Sequence, residues 1–357
     1  MNREAGAGAE AEGEAEAVTA RARASAQVLA RSRAQGPAPG GHGLLQLGAA
    51  ETAALIGPAA AADALAAALL GGVDPETCPQ RSALPVPGGG ELLLMPAASG
   101  TYAGVKIAGV APGNPARGLP RITGSYLLLD GPTLSPLALL DGAALTALRT
   151  PAVSALALRH LTPAGGSLRL VLFGSGPQAY GHLEAVLSLR ELAEAVVVAR
   201  NPAGGQALAA HAQALGVPAR TGTPADVAGA DLVLCCTTAR EPLFDGRLAG
   251  PGTTVVAVGS HEPTARETDT ALVRRAAVYV ESRAAALREA GDLLVPEAEG
   301  AIGPGHITGT LADLVSGRMP AGGAPGCPQL FKSVGMAWED LAVAVAVFEA
   351  AGANGAT

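Results

Sequence analysis

Two glycines that follow a short apolar run are the residues whose spacing points most directly to chemistry. The run, residues 168–173, is typical of a buried strand and leads into a helix-like pattern. The turn between them consists of Gly174, Ser175, Gly176, Pro177, Gln178 and Ala179. Such a turn directs free backbone N–H groups and the positive end of the helix dipole at one point. Because Gly174 permits the tight turn and Gly176 the close approach of a phosphate, we predict a pyrophosphate-binding loop.

The residues after this loop alternate between strand-like and helix-like runs. The strand-like runs span residues 194–200, 231–237, 253–259 and 277–282, and helix-compatible runs span residues 183–192 and 206–215. Short apolar strands that alternate with helices indicate a parallel sheet covered on both faces. We predict a Rossmann-type doubly wound α/β fold that binds a dinucleotide, with Thr237, Val258 and Gly259 among its cofactor contacts. The alternative is a glycine turn in another kind of α/β domain.

The end of the second predicted strand distinguishes between the two nicotinamide cofactors. A site that prefers NAD usually has an acidic residue there, about 20 residues beyond the glycines, to bind the ribose hydroxyls. This chain has Arg200 and Asn201 instead. A guanidinium pairs well with a 2′-phosphate. We therefore predict that NADP(H) is preferred over NAD(H); the alternative is a solvated surface arginine.

Three cationic side chains lie in apolar surroundings before this nucleotide-binding segment. Lys106 is inside a strand-like run, Arg149 is near the start of a predicted helix, and Arg81 precedes both. Unpaired cations in such places are costly. A carboxylate substrate would offset the desolvation of these groups through charge-assisted hydrogen bonds. The alternative for each cation is an ion pair with a local acidic residue.

Composition excludes several classes of function. The chain has 357 residues, enough for two domains, and its net charge of −7 with no basic, aromatic-rich patch argues against a nucleic-acid partner. No apolar run reaches about 18 residues, so we expect no membrane span. The four cysteines form no CxxC or Cys/His cluster, which predicts no metal site and a reducing, cytoplasmic location. Residues 1–41 alternate acidic and basic runs and are predicted to be a disordered tail.

Five separated segments resemble the ornithine cyclodeaminase/mu-crystallin family. They span residues 104–120, 136–157, 171–179, 256–269 and 330–342. The resemblance covers residues 43–350 and implies chemistry on an imine at the α-carbon of an amino acid, beside a nicotinamide. It also implies a homodimer. Its substrate-binding and dimerisation domain would comprise residues 42–150 and 318–357, and its NAD(P)-binding domain residues 151–317.

The resemblance assigns roles to the three cations and to the C-terminal segment. Arg81 and Arg149 match the two arginines that bind the substrate carboxylate, and Lys106 matches the lysine that faces both this carboxylate and the imine carbon. Ser333 and Gly335 fall where the C-terminal segment approaches the nicotinamide, at the start of a predicted final helix over residues 333–350.

Two positions at which this chain differs from the family pattern bear on which reaction it catalyses. Cyclodeaminases carry a catalytic aspartate in the loop after the strand that corresponds to residues 253–259, and this chain has His261 in that place. Arg121 replaces a family threonine, and both changes put cyclisation of ornithine in doubt. With an ordinary pKa near ~6.5, His261 is a candidate proton donor to the imine nitrogen. The alternative is a histidine at the pocket rim. Glu267 and Asp269 are expected to cap the next helix.

These patterns predict a cytoplasmic, homodimeric, NADPH-dependent oxidoreductase that reduces a small α-imino acid to the L-amino acid. One alternative is an ornithine cyclodeaminase, which converts L-ornithine to L-proline and ammonia. Another is a non-catalytic protein that binds NADP or another ligand. His182 is expected to pack in the protein interior, and His306 has no role that its spacing demands.

Overall fold

The structure is a computed structural model, and it describes residues 44–320 and 326–355. The predicted N-terminal tail, residues 1–41, lies outside the described residues. The helices are α1 (Ala49–Leu55), α2 (Pro58–Leu70), α3 (Gly142–Leu161), α4 (Pro177–Leu187), α5 (Pro202–Ala214), α6 (Thr270–Arg275), α7 (Arg283–Glu289), α8 (Gly291–Ala298), α9 (Leu311–Val315) and α10 (Ala337–Gly355).

The first half of the chain forms a six-stranded sheet. Its strands are β1 (Leu45–Leu47), β2 (Ser82–Val86), β3 (Gly90–Ala98), β4 (Tyr102–Val110), β5 (Ile122–Asp130) and β6 (Pro136–Asp141), in the order β1-β6-β5-β4-β3-β2. The pairs are antiparallel except for β1 with β6. Side chains alternate along β4, so Lys106 is buried on the face covered by α10 and Ile107 is exposed on the other face.

The second half forms an eight-stranded parallel sheet. Its strands are β7 (Leu168–Phe173), β8 (Leu192–Val198), β9 (Ala219–Thr221), β10 (Leu232–Cys235), β11 (Thr254–Ala257), β12 (Ala277–Val280), β13 (Ile307–Thr310) and β14 (Gln329–Lys332). The spatial order is β13-β12-β14-β11-β10-β7-β8-β9. The strand order reverses between β7 and β10, and doubly wound sheets bind nucleotides at the carboxyl ends of strands at such a point. The predicted Rossmann-type fold is confirmed.

The C-terminal segment departs from the predicted domain boundary. The sequence predicts that residues 318–357 belong to the substrate-binding domain, but β14 lies in the parallel sheet between β11 and β12. The prediction is therefore wrong for β14, whereas α10 packs against β3, β4 and β5 of the six-stranded sheet, as predicted. The final helix also begins at Ala337 rather than Ser333, because Gly335 has φ +76° and residues 333–336 form a loop.

A helix that crosses a membrane must be both long and apolar. Within residues 44–320 and 326–355, no one helix combines the necessary length and apolar character. The pair α1 and α2, bent by 75°, meets the criterion only when both are counted together.

Candidate active site

The predicted pyrophosphate loop connects β7 to α4 at the switch point of the parallel sheet. Gly174 has φ +112°, and a Cβ there would lie 2.4 Å from the backbone oxygen of Cys236, so only glycine fits. Gly176 precedes the first turn of α4, and a Cβ there would meet no atom within 4 Å. This open space at a helix N-terminus fits a pyrophosphate.

The turn between β8 and α5 lies beside this loop. A Cβ on Gly204 would lie 2.6 Å from Ser175 Oγ, so the first turn of α5 packs directly against the loop. Asn201 caps α5 by accepting the N–H of Ala203 at 3.2 Å, and Arg200 is exposed in the same turn. Arg200 is therefore placed at the carboxyl edge of the sheet, and its role toward a 2′-phosphate stays a prediction.

A buried carboxylate connects the ends of β10 and β11. Glu267 accepts hydrogen bonds from Thr237 N at 2.8 Å, Thr237 Oγ1 at 2.7 Å and Gly259 N at 2.7 Å. Burial raises the pKa of Glu267 to about 7. The expectation that Glu267 caps a helix is wrong, whereas Asp269 does cap α6 through Leu272 N. Glu267 instead fixes two of the predicted cofactor contacts relative to each other.

A second buried network supports the same loops. Lys332 Nζ on β14 lies 3.0 Å from Asp292 Oδ2 and donates to Ser260 O at 2.7 Å. Asp292 Oδ1 accepts the N–H groups of Glu267 at 2.9 Å and Thr268 at 2.8 Å. Burial alone would raise the pKa of Asp292, but the Lys332 ammonium and the Thr268 donors hold it below its ordinary value.

Asp340 joins two of the three predicted cations. Lys106 Nζ on β4 lies 2.9 Å from Asp340 Oδ1 and 2.8 Å from Oδ2. Arg149 Nε on α3 lies 3.2 Å from Asp340 Oδ1, and Arg149 Nη1 lies 3.0 Å from Glu339 Oε2. Both acidic residues are in the first turn of α10. One helix end therefore holds an ammonium and a guanidinium side by side.

The third cation reaches the same segment from the other side. Arg81 Nη2 donates to Val334 O at 2.8 Å and to Gly335 O at 2.7 Å, and lies 2.9 Å from Glu289 Oε2. A Cβ on Gly335 would lie 2.6 Å from Arg149 Nη1, so this glycine separates the two guanidinium groups. A small cleft is lined in part by Arg81, Glu289 and Gly335.

The three cations are thus brought together although they lie far apart in the sequence. Each also has a carboxylate partner, as the alternative interpretation expected. These partners are not local: Asp340 is 234 residues from Lys106. The cations therefore do not depend on a substrate to offset their burial, and a bound carboxylate would use the donors that remain.

Opposing effects determine the pKa of the Lys106 ammonium group. Burial lowers its pKa, Asp340 raises it and Arg149 lowers it, and the result is about 8. The ammonium form therefore dominates at pH 7 and titrates just above it. The carboxylate partners of Arg149 outweigh its burial and raise its pKa, so this guanidinium stays charged.

The loop between β14 and α10 is held by a buried pair of carboxyl groups. Glu281 accepts a hydrogen bond from Ser333 Oγ. The same carboxylate accepts the N–H groups of Val334 at 2.9 Å and Gly335 at 3.0 Å. Burial, and then the charge of Glu281, raise the pKa of Glu339 well above its ordinary value. The Ser333 hydroxyl is therefore already engaged within the protein.

His261 lies in the loop after β11, close enough to Arg81 for the two to interact electrostatically. The protein atoms around its ring, and then Arg81, lower its pKa below 6.5. The expectation of a proton donor with an ordinary pKa therefore needs correction, because the neutral ring dominates at pH 7. Glu262, which follows His261 in the same loop, forms a surface ion pair with Arg240 at 2.6 Å.

Two other histidines, His182 and His306, have structural positions. His182 is buried between α3 and α4, where its Nδ1 donates to Gln178 O at 2.7 Å and its Nε2 lies 2.9 Å from Ser154 Oγ. Burial lowers the pKa of His182 to about 4, so it is neutral, and its predicted packing role is confirmed. His306 Nε2 lies 2.6 Å from Val273 O at the end of α6.

A glycine turn at the switch point of a doubly wound sheet, beside a second sheet that carries clustered cations, defines a two-domain dinucleotide-binding protein. The model of the ornithine cyclodeaminase/mu-crystallin family matches residues 49–355, and the chain belongs to this family. The chain is 38% identical over 236 residues to a Delta(1)-pyrroline-2-carboxylate reductase from Colwellia psychrerythraea, covering 65% of this chain and 74% of the relative. It is 36% identical over 239 residues to ketimine reductase mu-crystallin from Rattus norvegicus, covering 66% and 72%.

A solved structure matches over nearly the whole described chain. Thermococcus litoralis Delta(1)-pyrroline-2-carboxylate reductase, in complex with NADH and L-proline, has a TM-score of 0.82 and 32% identity. The match covers 87% of this chain and 98% of that chain. The family resemblance found in the sequence is thus confirmed.

Sequence reasoning missed the acidic half of the site. Glu267, Glu281 and Asp340 each bind groups at least eight residues away, and most of their partners are far more distant. A carboxylate that pairs across such separations leaves no periodic pattern in the sequence. For Asp340, the apolar surroundings of Lys106 were the one available indication that a partner was needed.

Replacing Glu267 tests whether it organises the cofactor contacts. We expect Glu267→Gln to raise the Kd for NADPH roughly 10- to 100-fold, because the amide cannot accept all three donors and leaving buried donors unpaired costs about 1–3 kcal/mol. Fluorescence titration of NADPH measures this change. Glu262→Gln, in the same loop but on the surface, is the control, and an unchanged Kd for Glu267→Gln would contradict the assignment.

Proposed function

We propose that this protein is an NAD(P)H-dependent reductase that converts a small α-imino acid, cyclic or formed from a 2-oxo acid and an amine, to the L-amino acid. The single observation that carries the proposal is the clustering of three cations: Arg81 and Arg149 both lie against Gly335, and Lys106 shares the carboxylate of Asp340 with Arg149. The relatives named as reductases of pyrroline-2-carboxylate and of ketimines support the same reaction.

The cations supply binding and orientation. Arg81 and Arg149 would hold the substrate carboxylate through charge-assisted hydrogen bonds. Lys106, charged at pH 7, would draw electron density from the neighbouring imine carbon. A reduced nicotinamide, when bound, supplies a hydride for such a carbon. Fixed charges and orientation together can contribute several kcal/mol to lowering the barrier. Proton transfer to the imine nitrogen is proposed to occur near His261, whose charged form becomes more abundant as pH falls.

A panel of substrates tests this function. Cyclic imines, 2-oxo acids mixed with amines, and L-ornithine would each be supplied with NADPH or NADH, with absorbance at the nicotinamide band recorded. Oxidation of the cofactor by an imine is the expected result. Release of ammonia from ornithine without net absorbance change would identify a cyclodeaminase instead. Cofactor binding with no turnover of any imino or amino acid would identify a binding protein.

We propose further that NADP(H) is preferred over NAD(H), and Arg200 tests the preference. Arg200→Ala is expected to raise the KM for NADPH roughly tenfold or more, because one charged hydrogen bond is worth about 1.5–3 kcal/mol. The KM for NADH should stay nearly constant, since NADH lacks the 2′-phosphate. Steady-state kinetics with both cofactors measure the ratio. Equal preference before and after the substitution would remove Arg200 from this role.

We also propose that the protein is a homodimer. The face of the six-stranded sheet that lies away from α10 exposes apolar side chains on the neighbouring strands β2, β3 and β4, namely Leu84, Val86, Leu94 and Ile107. Leu94 and Ile107 are directly opposite each other in β3 and β4. Monomeric proteins rarely expose large contiguous apolar patches, so a second copy is the proposed cover. Ile107→Glu should change the mass in light scattering from two chains to one, whereas a monomeric wild type would reject the proposal.

A cytoplasmic location is proposed on the chemistry of the cysteines. All four lie within the described residues and no disulfide joins them, as is usual in a reducing compartment. Fractionation of cells followed by immunodetection tests it, and recovery from an oxidising compartment would contradict it.

A further inference from the structure

One carboxylate in the site contacts two of the cations at once. Asp340 Oδ1 lies 2.9 Å from Lys106 Nζ and 3.2 Å from Arg149 Nε, and the Asp340 side chain is completely buried. Lys106 is on β4, Arg149 on α3 and Asp340 on α10, so three elements meet at this side chain. A single carboxylate therefore sets the separation between the ammonium and the guanidinium.

Glu339 completes the orientation of the guanidinium. Glu339 Oε2 accepts a hydrogen bond from Arg149 Nη1 at 3.0 Å, and Asp340 Oδ1 lies 3.2 Å from Arg149 Nε. A Cβ on Gly335 would lie 2.8 Å from Arg149 Nη2, so Nη2 lies against the loop whose carbonyl groups bind Arg81.

We propose that Asp340 is a positioning residue, which acts through Lys106 and Arg149 by holding both in the arrangement that receives the carboxylate of the substrate. The inference rests on the proposed imino-acid reductase function and adds a residue to it. Asp340 touches neither substrate nor cofactor in this account.

The charges around Lys106 explain why this carboxylate also matters for pH dependence. Asp340 and Glu339 face Lys106 from α10, Arg149 faces it from α3, and Tyr126 is its partner on β5. Burial raises the pKa of Tyr126 well above 10, so this phenol stays neutral. Without Asp340, burial and Arg149 would both lower the pKa of Lys106, with only the weaker effect of Glu339 against them.

The test compares Asp340→Asn and Asp340→Glu with wild type. Asp340→Asn should raise the KM for the imino acid about tenfold or more. It should also lower, by about one unit or more, the apparent pKa of the basic limb, which is the pH at which kcat/KM falls on the alkaline side, because a close opposite charge shifts a pKa by about 1–3 units. NADPH binding should survive. Asp340→Glu keeps the charge, so its basic limb should stay near pH 8, while the longer side chain misplaces both cations and raises KM.

A merely structural role predicts something different. Asp292→Asn disrupts the other buried lysine–aspartate pair, that with Lys332. It should lower Tm, but the protein that remains folded should keep the wild-type apparent pKa on the basic limb of kcat/KM. If active wild type and Asp340→Asn share the same KM and basic limb, the positioning role is overturned. If Asp340→Asn does not fold, a wild-type KM in Asp340→Glu overturns it equally. Failure of wild type to reduce any imine would reject the proposed function instead, which keeps the two failures distinguishable.

Discussion

Lys106→Ala is expected to lower kcat/KM for the imino acid by at least about 10²-fold, because removing one preorganised charged donor from an active site has effects of about 10²–10³-fold. Binding of NADPH should survive, since Lys106 lies on β4 of the six-stranded sheet, whereas the glycine loop belongs to the other sheet. The fold should also survive, because Asp340 retains Arg149 as a partner.

Steady-state kinetics together with fluorescence titration of NADPH separate the two effects. Arg117→Ala is a suitable control, because this exposed cation lies just beyond the same strand and outside the cluster. Turnover near the wild-type rate in Lys106→Ala would reject the role assigned to the lysine.

The largest effect on stability is expected from Asp292→Ala. Lys332 and Asp292 are both 0% exposed, so the substitution leaves a buried ammonium without its carboxylate. Breaking a buried ion pair from one side costs about 3–5 kcal/mol. Three hydrogen bonds to Asp292, from Glu267 N, Thr268 N and Thr268 Oγ1, would also be lost.

Urea unfolding followed by circular dichroism measures this loss. The double substitution Asp292→Leu with Lys332→Met should restore part of the stability, because no unpaired charge then remains buried. Asp63→Ala is the control, since Asp63 is 62% exposed in its pair with Arg159. A loss below about 1 kcal/mol for Asp292→Ala, which is typical of a surface pair, would contradict the prediction.

Local patterns in the sequence predicted the fold well. The glycine turn lies between β7 and α4, as expected, and the predicted strand at residues 194–200 is observed at Leu192–Val198. Lys106 and Arg149 lie on a strand and a helix, as their surroundings indicated. These features depend on residues close together in the chain, where periodicity and turn chemistry are readable.

The features that sequence reasoning missed depend on distant residues. The insertion of β14 between β11 and β12 involves four residues, too few to show a period. The predicted helix start at Ser333 overlooked Glu281, which binds the backbone of the preceding loop from 53 and 54 residues away. The pairing of Asp340 with Lys106 likewise spans the whole nucleotide-binding segment.

The position of β14 has a consequence for how the protein can be divided. This strand is an interior strand of the parallel sheet, third of the eight, yet it follows every other strand in the chain. Within five residues the chain continues into α10, which covers the six-stranded sheet. A truncation before residue 329 would leave a gap between β11 and β12 and expose their edges to self-association. Neither half can therefore be produced alone by a single cut, and isolating the nucleotide-binding half would require a rearranged gene in which the C-terminal strand is joined back to its neighbours.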